Sequence, residues 1–269
     1  MEMHPLFDLI SSPGGNSRPS RVLVVGAHPD DELLGLGGTL RRHVLRGDEV
    51  HALCLCENMS LRYGSPEKAG FDTADQARQA AQILGLAGIE LLRFPDQRLD
   101  AVPILEVIRP IDRAVRELKP RFVYTHCVGD INRDHRIVHE ATLVACRCKS
   151  RSVDLLLAYE TPSGTEFGVP YTFSPNFFVD VSETLQAKMT ALACYRSEIE
   201  PYPGPRSIQA LEERARTWGQ AAGMTAAEPF QILRSYWRFA ESPALPVQAH
   251  LAEREHELAM KAGAGVASR

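Results

Sequence analysis

Two segments of this chain concentrate histidine and carboxylate side chains. Residues 27–32 read AHPDDE, so His28 stands two positions before three consecutive acidic residues. Residues 126–139 come much later and include the adjacent pair Asp134 and His135. Imidazole nitrogens and carboxylate oxygens bind zinc, and a zinc ion with an open position activates water and polarises a carbonyl group. Of two adjacent carboxylates, one can bind the metal while the other accepts a proton. The two segments therefore predict metal-assisted hydrolysis.

Each segment also has a structural alternative. The first could be a polar turn in which an aspartate caps the next helix. A cap accounts for one aspartate, but not for His28 together with three carboxylates. For His135, the alternative is an exposed helical histidine beside a capping Asp134.

Apolar runs alternate with helical patterns along most of the chain. Residues 21–26 (RVLVVG) form a short continuous apolar run, which indicates a strand buried on both faces. The other predicted strands are 49–56, 89–94, 122–126, 155–159 and 177–181. The predicted helices are 36–46, 72–86, 102–118, 134–148, 183–196, 207–222 and 246–262. This alternation predicts an α/β fold with a Rossmann-like, open, mostly parallel sheet and helices on both faces.

The order of the strands would decide whether the two segments meet. Such sheets bind ligands beyond the carboxyl ends of their strands, where the strand order reverses. With the order 3-2-1-4-5, the first and fourth strands are neighbours at that point. The loops after Gly26 and after His126 would then face each other across one crevice.

The length and composition of the chain indicate its domain organisation and exclude some classes of partner. The chain has 269 residues, 44% of them hydrophobic, and we interpret 21–262 as a single domain between a flexible lead-in (1–20) and a frayed tail (263–269). The formal charge of −4 supplies no basic field for nucleic acid or anionic lipid. We expect no secretion signal, since residues 1–20 lack a cationic start followed by an apolar run, and no apolar run reaches about 18 residues, so we expect a cytoplasmic protein without a membrane span. The six cysteines are expected to be free thiols.

The chain resembles the PIG-L/LmbE-like N-acetylglucosaminyl deacetylases over about residues 21–230. The resemblance is carried by AHPDDE, by the glycines at 35–38, by PDQRLD at 95–100 and by DINRDHR at 130–136. It implies one zinc ion per chain, hydrolysis of an N-acyl group, and a small-molecule amino-sugar conjugate as substrate. The implied zinc ligands are His28, Asp31 and His135, and the implied general base is Asp30.

The resemblance also implies roles for more peripheral residues. Arg78 and Asp96 would contact substrate. Many family members have a histidine three residues before the last zinc ligand, where it stabilises the oxyanion. Here that residue is Asn132, which can donate a hydrogen bond but cannot act as a cationic acid.

The leaving-group acid is therefore open, with His126 and His139 as candidates. Asp134 could orient a ring nitrogen of a ligand or balance the charge of the site. A homo-oligomer is also left open. Residues 160–178, rich in Gly, Pro and aromatics, are expected to form one wall of the substrate cleft.

Other functional classes fit the sequence less well. A non-catalytic sugar- or nucleotide-binding protein could share this fold, but no G-x-G-x-x-G follows the first strand, and the three acidic residues at 30–32 would repel a pyrophosphate. A serine hydrolase would need a nucleophile elbow such as G-x-S-x-G, which is absent. A zinc amidase acting on a non-sugar amide stays an alternative.

Overall fold

A computed structural model describes residues 19–56, 73–147 and 151–236. They form one domain around a seven-stranded sheet in the order β3-β2-β1-β4-β5-β7-β6. The strands are β1 (Arg21–Gly26), β2 (Glu49–Cys56), β3 (Gly88–Phe94), β4 (Phe122–His126), β5 (Leu155–Tyr159), β6 (Phe177–Asp180) and β7 (Ala227–Ser235). Strands β1 to β5 are parallel, whereas β7 is antiparallel to both β5 and β6. The predicted fold class and the order of the first five strands are confirmed.

Helices cover both faces of this sheet. The helices are α1 (Asp31–Leu45), α2 (Thr73–Leu84), α3 (Ile104–Leu118), α4 (Arg133–Ala145), α5 (Leu185–Leu192) and α6 (Ile208–Ala222). Helices α1, α2, α5 and α6 pack on one face around a buried apolar core, and α3 and α4 pack on the other. None of the helices in these ranges is long and apolar enough to cross a membrane.

Helix α1 begins earlier than the sequence pattern indicated. It starts at Asp31 instead of near Leu36, and it is kinked at Leu36, where φ is −147°. The Glu228 carboxylate accepts the backbone N–H groups of Gly38 and Thr39 beyond the kink, at 3.0 and 2.7 Å. The periodicity after the kink was recognised, but the first turn was not, because a break in the helix interrupts the apolar pattern.

Two glycines let α1 lie directly against its neighbours. A Cβ atom at Gly35 would lie 2.4 Å from the Tyr159 ring of β5, and one at Gly38 would lie 2.8 Å from Val181. Real Cβ atoms do not approach other atoms so closely, so these positions exclude a side chain. The N-terminus of α1, which carries the acidic residues, is thereby held against the sheet.

Several predictions from the sequence differ from the structure or concern residues that the structure does not describe. Strand β7 was not predicted, because AEPFQILRS carries a proline and charged residues and has no strand-like alternation. The predicted helix 246–262, the tail 263–269 and most of the lead-in lie outside the described residues. Ser20, at the end of that lead-in, is buried and donates its N–H to Asp48 at 2.8 Å. Among the described cysteines, the buried free thiols are Cys54, Cys56, Cys127 and Cys146.

Candidate metal centre

The two polar segments meet at the carboxyl edge of β1 and β4. These strands pair in parallel, with Val22 opposite Phe122, so their following loops leave the same edge of the sheet. A hydrogen bond joins the loops directly, from the Ala27 N–H to His126 Nε2 at 3.0 Å. The strand order thus brings together residues that are far apart in sequence, at the point where the order reverses.

Three side chains from the first loop and from the first turns of helices α1 and α4 converge on one point, and we call them the metal triad: His28, Asp31 and His135. His28 Nδ1 lies 3.3 Å from His135 Nε2 and 3.4 Å from Asp31 Oδ2. His135 Nε2 lies 3.4 Å from Asp31 Oδ1. All three residues are at most 4% exposed. Their ligand atoms lie close enough together to hold one metal ion.

These separations fit a tetrahedral metal site. Ligand bonds of about 2.0–2.1 Å at tetrahedral angles put neighbouring ligand atoms about 3.3–3.4 Å apart. Asp31 Oδ1 is buried and accepts no hydrogen bond, so the fold leaves a ligand atom without a protein partner. A buried carboxylate oxygen without a partner is costly unless an ion or a water binds it.

Further carboxylates orient the two histidines of the metal triad. Asp130 Oδ2 lies 2.9 Å from His135 Nδ1, which leaves Nε2 facing Asp31 and His28. Asp134 Oδ2 lies 3.3 Å from His28 Nε2, and its Oδ1 accepts the Leu99 N–H at 3.0 Å. Metal-binding histidines usually donate their second ring N–H to such a group, which fixes the tautomer.

The pKa shifts of the triad come from the pairing of its imidazoles with carboxylates. Burial by itself favours a neutral His28, but hydrogen bonds to Asp134 and Asp31 raise its pKa well above the usual value. Burial would raise the pKa of Asp31, yet His135 and His126 hold it well below the usual value. Asp31 is thus held ionised beside the two histidines, and a donor set of two imidazoles and one carboxylate suits a divalent metal.

Asp30 lies beside the triad and is paired with an arginine. It occupies the residue before α1, but its side chain makes no capping hydrogen bond, so the capping alternative is not supported. Asp30 Oδ2 instead lies 3.3 Å from Arg206 Nη1, and Arg206 Nε donates to Ser163 Oγ at 3.0 Å. Burial raises the pKa of Asp30 well above its usual value, against the opposing effect of Arg206.

The backbone of Asp30 is also unusual, with φ at +123°. Residues other than glycine rarely adopt such angles, which cost about 1–3 kcal/mol and occur most often at functional sites. The strain falls on Asp30, which occupies the N-cap position of α1 without a capping hydrogen bond and carries a buried carboxylate.

A cavity of about 400 Å³ opens from this centre. On the metal side it is lined by His28, Asp30, Asp31, Gln97 and Asn132. Its other lining residues come from the loops after β5 and α5, and we call them the outer wall: Ser163, Ser197, Glu198, Glu200 and Arg206. None of the described residues that line the cavity has an apolar side chain. Ser163 comes from the segment expected to form a wall of the cleft.

Comparison with known proteins agrees with this geometry. The family described as PIG-L, GlcNAc-PI de-N-acetylase, matches residues 23–146. The diacetylchitobiose deacetylase of Thermococcus kodakarensis is 29% identical over 79% of this chain and 83% of its own length. The uncharacterized deacetylase YaiS of Escherichia coli is 30% identical over 65% of this chain and 90% of its own. A solved structure, conserved protein TT1542 from Thermus thermophilus, is 30% identical, with a TM-score of 0.66 over 84% of this chain and all of the other.

This chain belongs to the PIG-L de-N-acetylase family. The resemblance found in the sequence is confirmed, and so is the reaction class, a hydrolase that acts on an N-acyl amide. PIG-L deacetylases are metalloenzymes, and in this member the metal triad has the composition and spacing to hold the ion.

In this PIG-L chain, Asn132 has a structural role through its side-chain oxygen. Asn132 Oδ1 accepts the Asp134 N–H at 2.9 Å and caps helix α4. Because this bond occupies the amide oxygen of Asn132, the NH₂ group of the same side chain remains available as a hydrogen-bond donor. Because Asn132 also lines the cavity, that donor is next to the metal side.

The other histidines considered as acids lie behind the metal triad. His126 is fully buried, stacks on His135 with ring centroids 3.9 Å apart, and lines no part of the cavity. Burial and the neighbouring His135 lower its pKa to about 4, which keeps it neutral. Its Nε2 lies 3.2 Å from Asp31 Oδ2. His139 Nδ1 donates to the His126 carbonyl at 2.8 Å. Neither histidine is among the described residues that line the cavity, and the role of either as the leaving-group acid stays a prediction.

The two predicted substrate contacts differ in their surroundings. Asp96 Oδ1 lies 3.3 Å from His28 Nε2 and is buried, although it accepts no hydrogen bond. It therefore belongs to the group around the metal triad. Arg78 pairs with Asp75 at 2.7 Å, its side chain is 60% exposed, and it does not line the cavity. Its contact with substrate stays a prediction.

Sequence reasoning missed two functional neighbours for different reasons. Asp130 lies inside DINRDHR, five residues before His135, so its proximity in sequence was a usable signal. Arg206 is 176 residues from Asp30 and stands in a loop without a recognised motif. Only the folded chain brings that guanidinium to the carboxylate.

Proposed function

We propose that this protein is a zinc-dependent N-deacetylase that acts on an amino-sugar conjugate of the N-acetylglucosamine type. The observation that carries the proposal is the metal triad, with tetrahedral spacing, beside the buried Asp30 at the bottom of an open cavity. The relationship to a diacetylchitobiose deacetylase supports the choice of an acetamido sugar. Two histidines and one carboxylate favour zinc over the harder magnesium and calcium ions.

Zinc bound to the triad would polarise the acetamide carbonyl and lower the pKa of a water molecule. Asp30 removes the proton of the attacking water, for which its geometry beside the cavity and its raised pKa are suited. The same carboxyl group then returns the proton to the amine nitrogen as the C–N bond breaks. Asp30 is therefore assigned both proton transfers.

The neighbours of Asp30 complete the assignment. Arg206 holds the carboxylate toward the cavity from the opposite loop. Asn132 donates its amide N–H to the developing oxyanion, a role that needs no proton transfer. His126, which is neutral and lies behind Asp31, positions the triad, and Asp134 and Asp130 orient its two histidines.

The lining of the cavity fits this substrate class. Carboxylates, amides, hydroxyls and a guanidinium group form hydrogen bonds with sugar hydroxyls, and none of the described lining residues has an apolar side chain to contact an acyl chain. A volume of about 400 Å³ accommodates one to two sugar rings better than a macromolecule.

The test combines metal analysis with product release. The purified full chain is analysed for metal, and free amine is measured with a panel of N-acetylglucosamine conjugates, with and without chelator, and after zinc is restored. N-acetylated amino acids serve as non-sugar amides. We expect one zinc ion per chain and chelator-sensitive release of amine from the sugar conjugates. Release from the amino acids alone would replace the proposed substrate class, and a metal-loaded protein inactive on every amide would refute the proposal.

A further inference from the structure

The unusual backbone of Asp30 is fixed on both sides of its Cα atom. The peptide group before this atom is fixed by Glu32, whose Oε2 accepts the Asp30 N–H at 3.2 Å. The peptide group after it is fixed by helix α1, because the Asp30 carbonyl accepts the N–H groups of Leu33 and Leu34, both at 2.9 Å. The φ angle of +123° belongs to the N–Cα bond between these two peptide groups. The contact with Glu32 is therefore the side-chain part of what sets this angle.

The Glu32 carboxylate is itself buried and held by other elements. Glu32 is 1% exposed and Tyr195 is 0% exposed, and the Tyr195 hydroxyl donates to Glu32 Oε1 at 2.9 Å. The Cys54 thiol of β2 lies 3.8 Å from Glu32 Oε2. A carboxylate buried without such partners would be costly. Burial raises the pKa of Tyr195 well above its usual value, so its hydroxyl stays protonated and can donate.

Tyr195 also connects Asp30 with the loop after α5. Its carbonyl accepts the N–H groups of Glu198 and Ile199, at 2.9 and 3.2 Å. The same loop carries Arg206, whose Nη1 lies 3.3 Å from Asp30 Oδ2. The backbone of Asp30 and its carboxylate are thus fixed by separate contacts, and both sets of contacts involve this loop.

We propose that Glu32 and Tyr195 are positioning residues for Asp30, in which Glu32 fixes the Asp30 backbone and Tyr195 holds Glu32 in place. This inference rests on the proposed function, in which Asp30 transfers the protons. Neither positioning residue is among the described residues that line the cavity, so both act through Asp30.

The physical reason is geometric. The φ and ψ angles of a residue set the direction in which its side chain leaves the backbone. If the Asp30 backbone relaxed to one of the common conformations, its carboxylate would turn away from the cavity. A displacement of about 1 Å can cost about 100-fold in rate, because the reacting atoms are no longer aligned.

Three variants of the zinc-saturated full chain grade this effect, assayed with the best substrate of the N-acetylglucosamine panel. Glu32→Met removes both acceptor oxygens, and kcat should fall by about 10- to 100-fold with little change in KM. Tyr195→Phe removes only the hydroxyl that holds Glu32, and kcat should fall by about three- to tenfold, the effect of one hydrogen bond. Glu32→Gln should retain most of the activity, because its oxygen can accept the Asp30 N–H while its NH₂ group donates to the Tyr195 hydroxyl.

Tyr124→Phe controls for a purely structural effect. Tyr124 is also 0% exposed, and its hydroxyl lies 2.8 Å from His43 Nε2. Loss of this buried hydroxyl should lower Tm, as Tyr195→Phe does, while kcat stays at the wild-type value. Competition with a chromophoric chelator is expected to give the wild-type zinc Kd for the Glu32 and Tyr195 variants.

The backbone of Asp30 provides a readout that does not depend on activity. In crystal structures of the zinc-loaded variants, φ of Asp30 should leave the positive region in Glu32→Met and remain there in Glu32→Gln. A φ that stays near +123° in Glu32→Met would overturn the inference.

The outcomes separate this inference from the proposed function. Wild-type kcat in both Glu32→Met and Tyr195→Phe would overturn the positioning role while leaving a deacetylase. Weaker zinc binding with an unchanged kcat at saturating zinc would also overturn it, since Glu32 would then support its neighbour Asp31 instead. If the wild-type chain releases amine from no conjugate, the proposed function fails, and the φ comparison still decides the inference. If Glu32→Met does not fold, Tyr195→Phe compared with Tyr124→Phe decides it.

Discussion

The metal side and the outer wall of the cavity are built in different ways. The metal triad comes from two short segments after adjacent strands, where the loops pass into the first turns of α1 and α4. It is almost fully buried and has a carboxylate behind each histidine. The outer wall comes from loops after β5 and α5, is partly exposed, and has one guanidinium group that links its parts. The metal side is thus held by several mutually supporting contacts, whereas the wall depends on a few. Substitutions on the metal side should therefore affect binding of the ion and chemistry, and those in the wall should affect orientation and selectivity.

The largest effect is expected from removing a ligand of the metal triad. His135→Ala should lose the metal and with it nearly all activity, because a site with three protein ligands cannot retain zinc tightly with two. Metal content after dialysis and amine release measure this. His51→Ala, a histidine paired with Glu49 at the start of β2, is the control and should retain the metal. Full zinc occupancy in the His135→Ala protein would show that another residue completes the site.

Asp30→Asn should separate metal binding from chemistry. The variant is expected to keep its zinc while kcat falls by about 10²–10⁴, the usual contribution of a general base. Asp112→Asn, on helix α3 with 42% of its side chain exposed, controls for loss of a carboxylate elsewhere. Near-normal turnover in Asp30→Asn would show that a different group carries out the proton transfers.

Asp130→Asn tests the support behind the metal side. Loss of the charge that orients His135 should weaken metal affinity by about 10- to 100-fold. Competition with a chromophoric chelator gives the Kd, again with Asp112→Asn as the control. If the affinity is unchanged, the contact at 2.9 Å does not contribute to binding of the ion.

Arg206→Gln is the smallest of these changes and tests the link between the two sides. We expect about a tenfold fall in kcat with little change in KM, because Asp30 loses its fixed orientation. Arg206→Lys should recover part of the loss, since an ammonium group keeps the charge but not the planar geometry.

A double-mutant cycle makes that test specific. In the Asp30→Asn background, Arg206→Gln should cost almost nothing more, because interacting residues are not additive. Additive losses would mean that Arg206 acts on substrate or stability independently of Asp30.

The two sides also differ in how far the sequence predicted them. All three residues of the proposed metal triad lie within the two motifs, so the family resemblance could predict them, whereas spacing alone left open which carboxylate would bind. Helix α1 was only half recognised, since the kink at Leu36 and its stabilisation by Glu228 involve residues far apart in the chain. Arg78 was selected by resemblance, yet in the fold it lies exposed and paired with Asp75.

By itself, the sequence determined the alternating strands and helices and the family, and it predicted the residues of the proposed metal side, because periodicity and short motifs are local properties of a chain. The tertiary structure alone decided which residues form the outer wall and which contacts the supporting residues make. Arg206 reaches Asp30 across 176 positions, and His126 is buried 3.2 Å from Asp31 with a pKa lowered to about 4. Burial, pairing and the local electric field depend on which surfaces the fold brings into contact, and no residue carries that information in its own sequence neighbourhood.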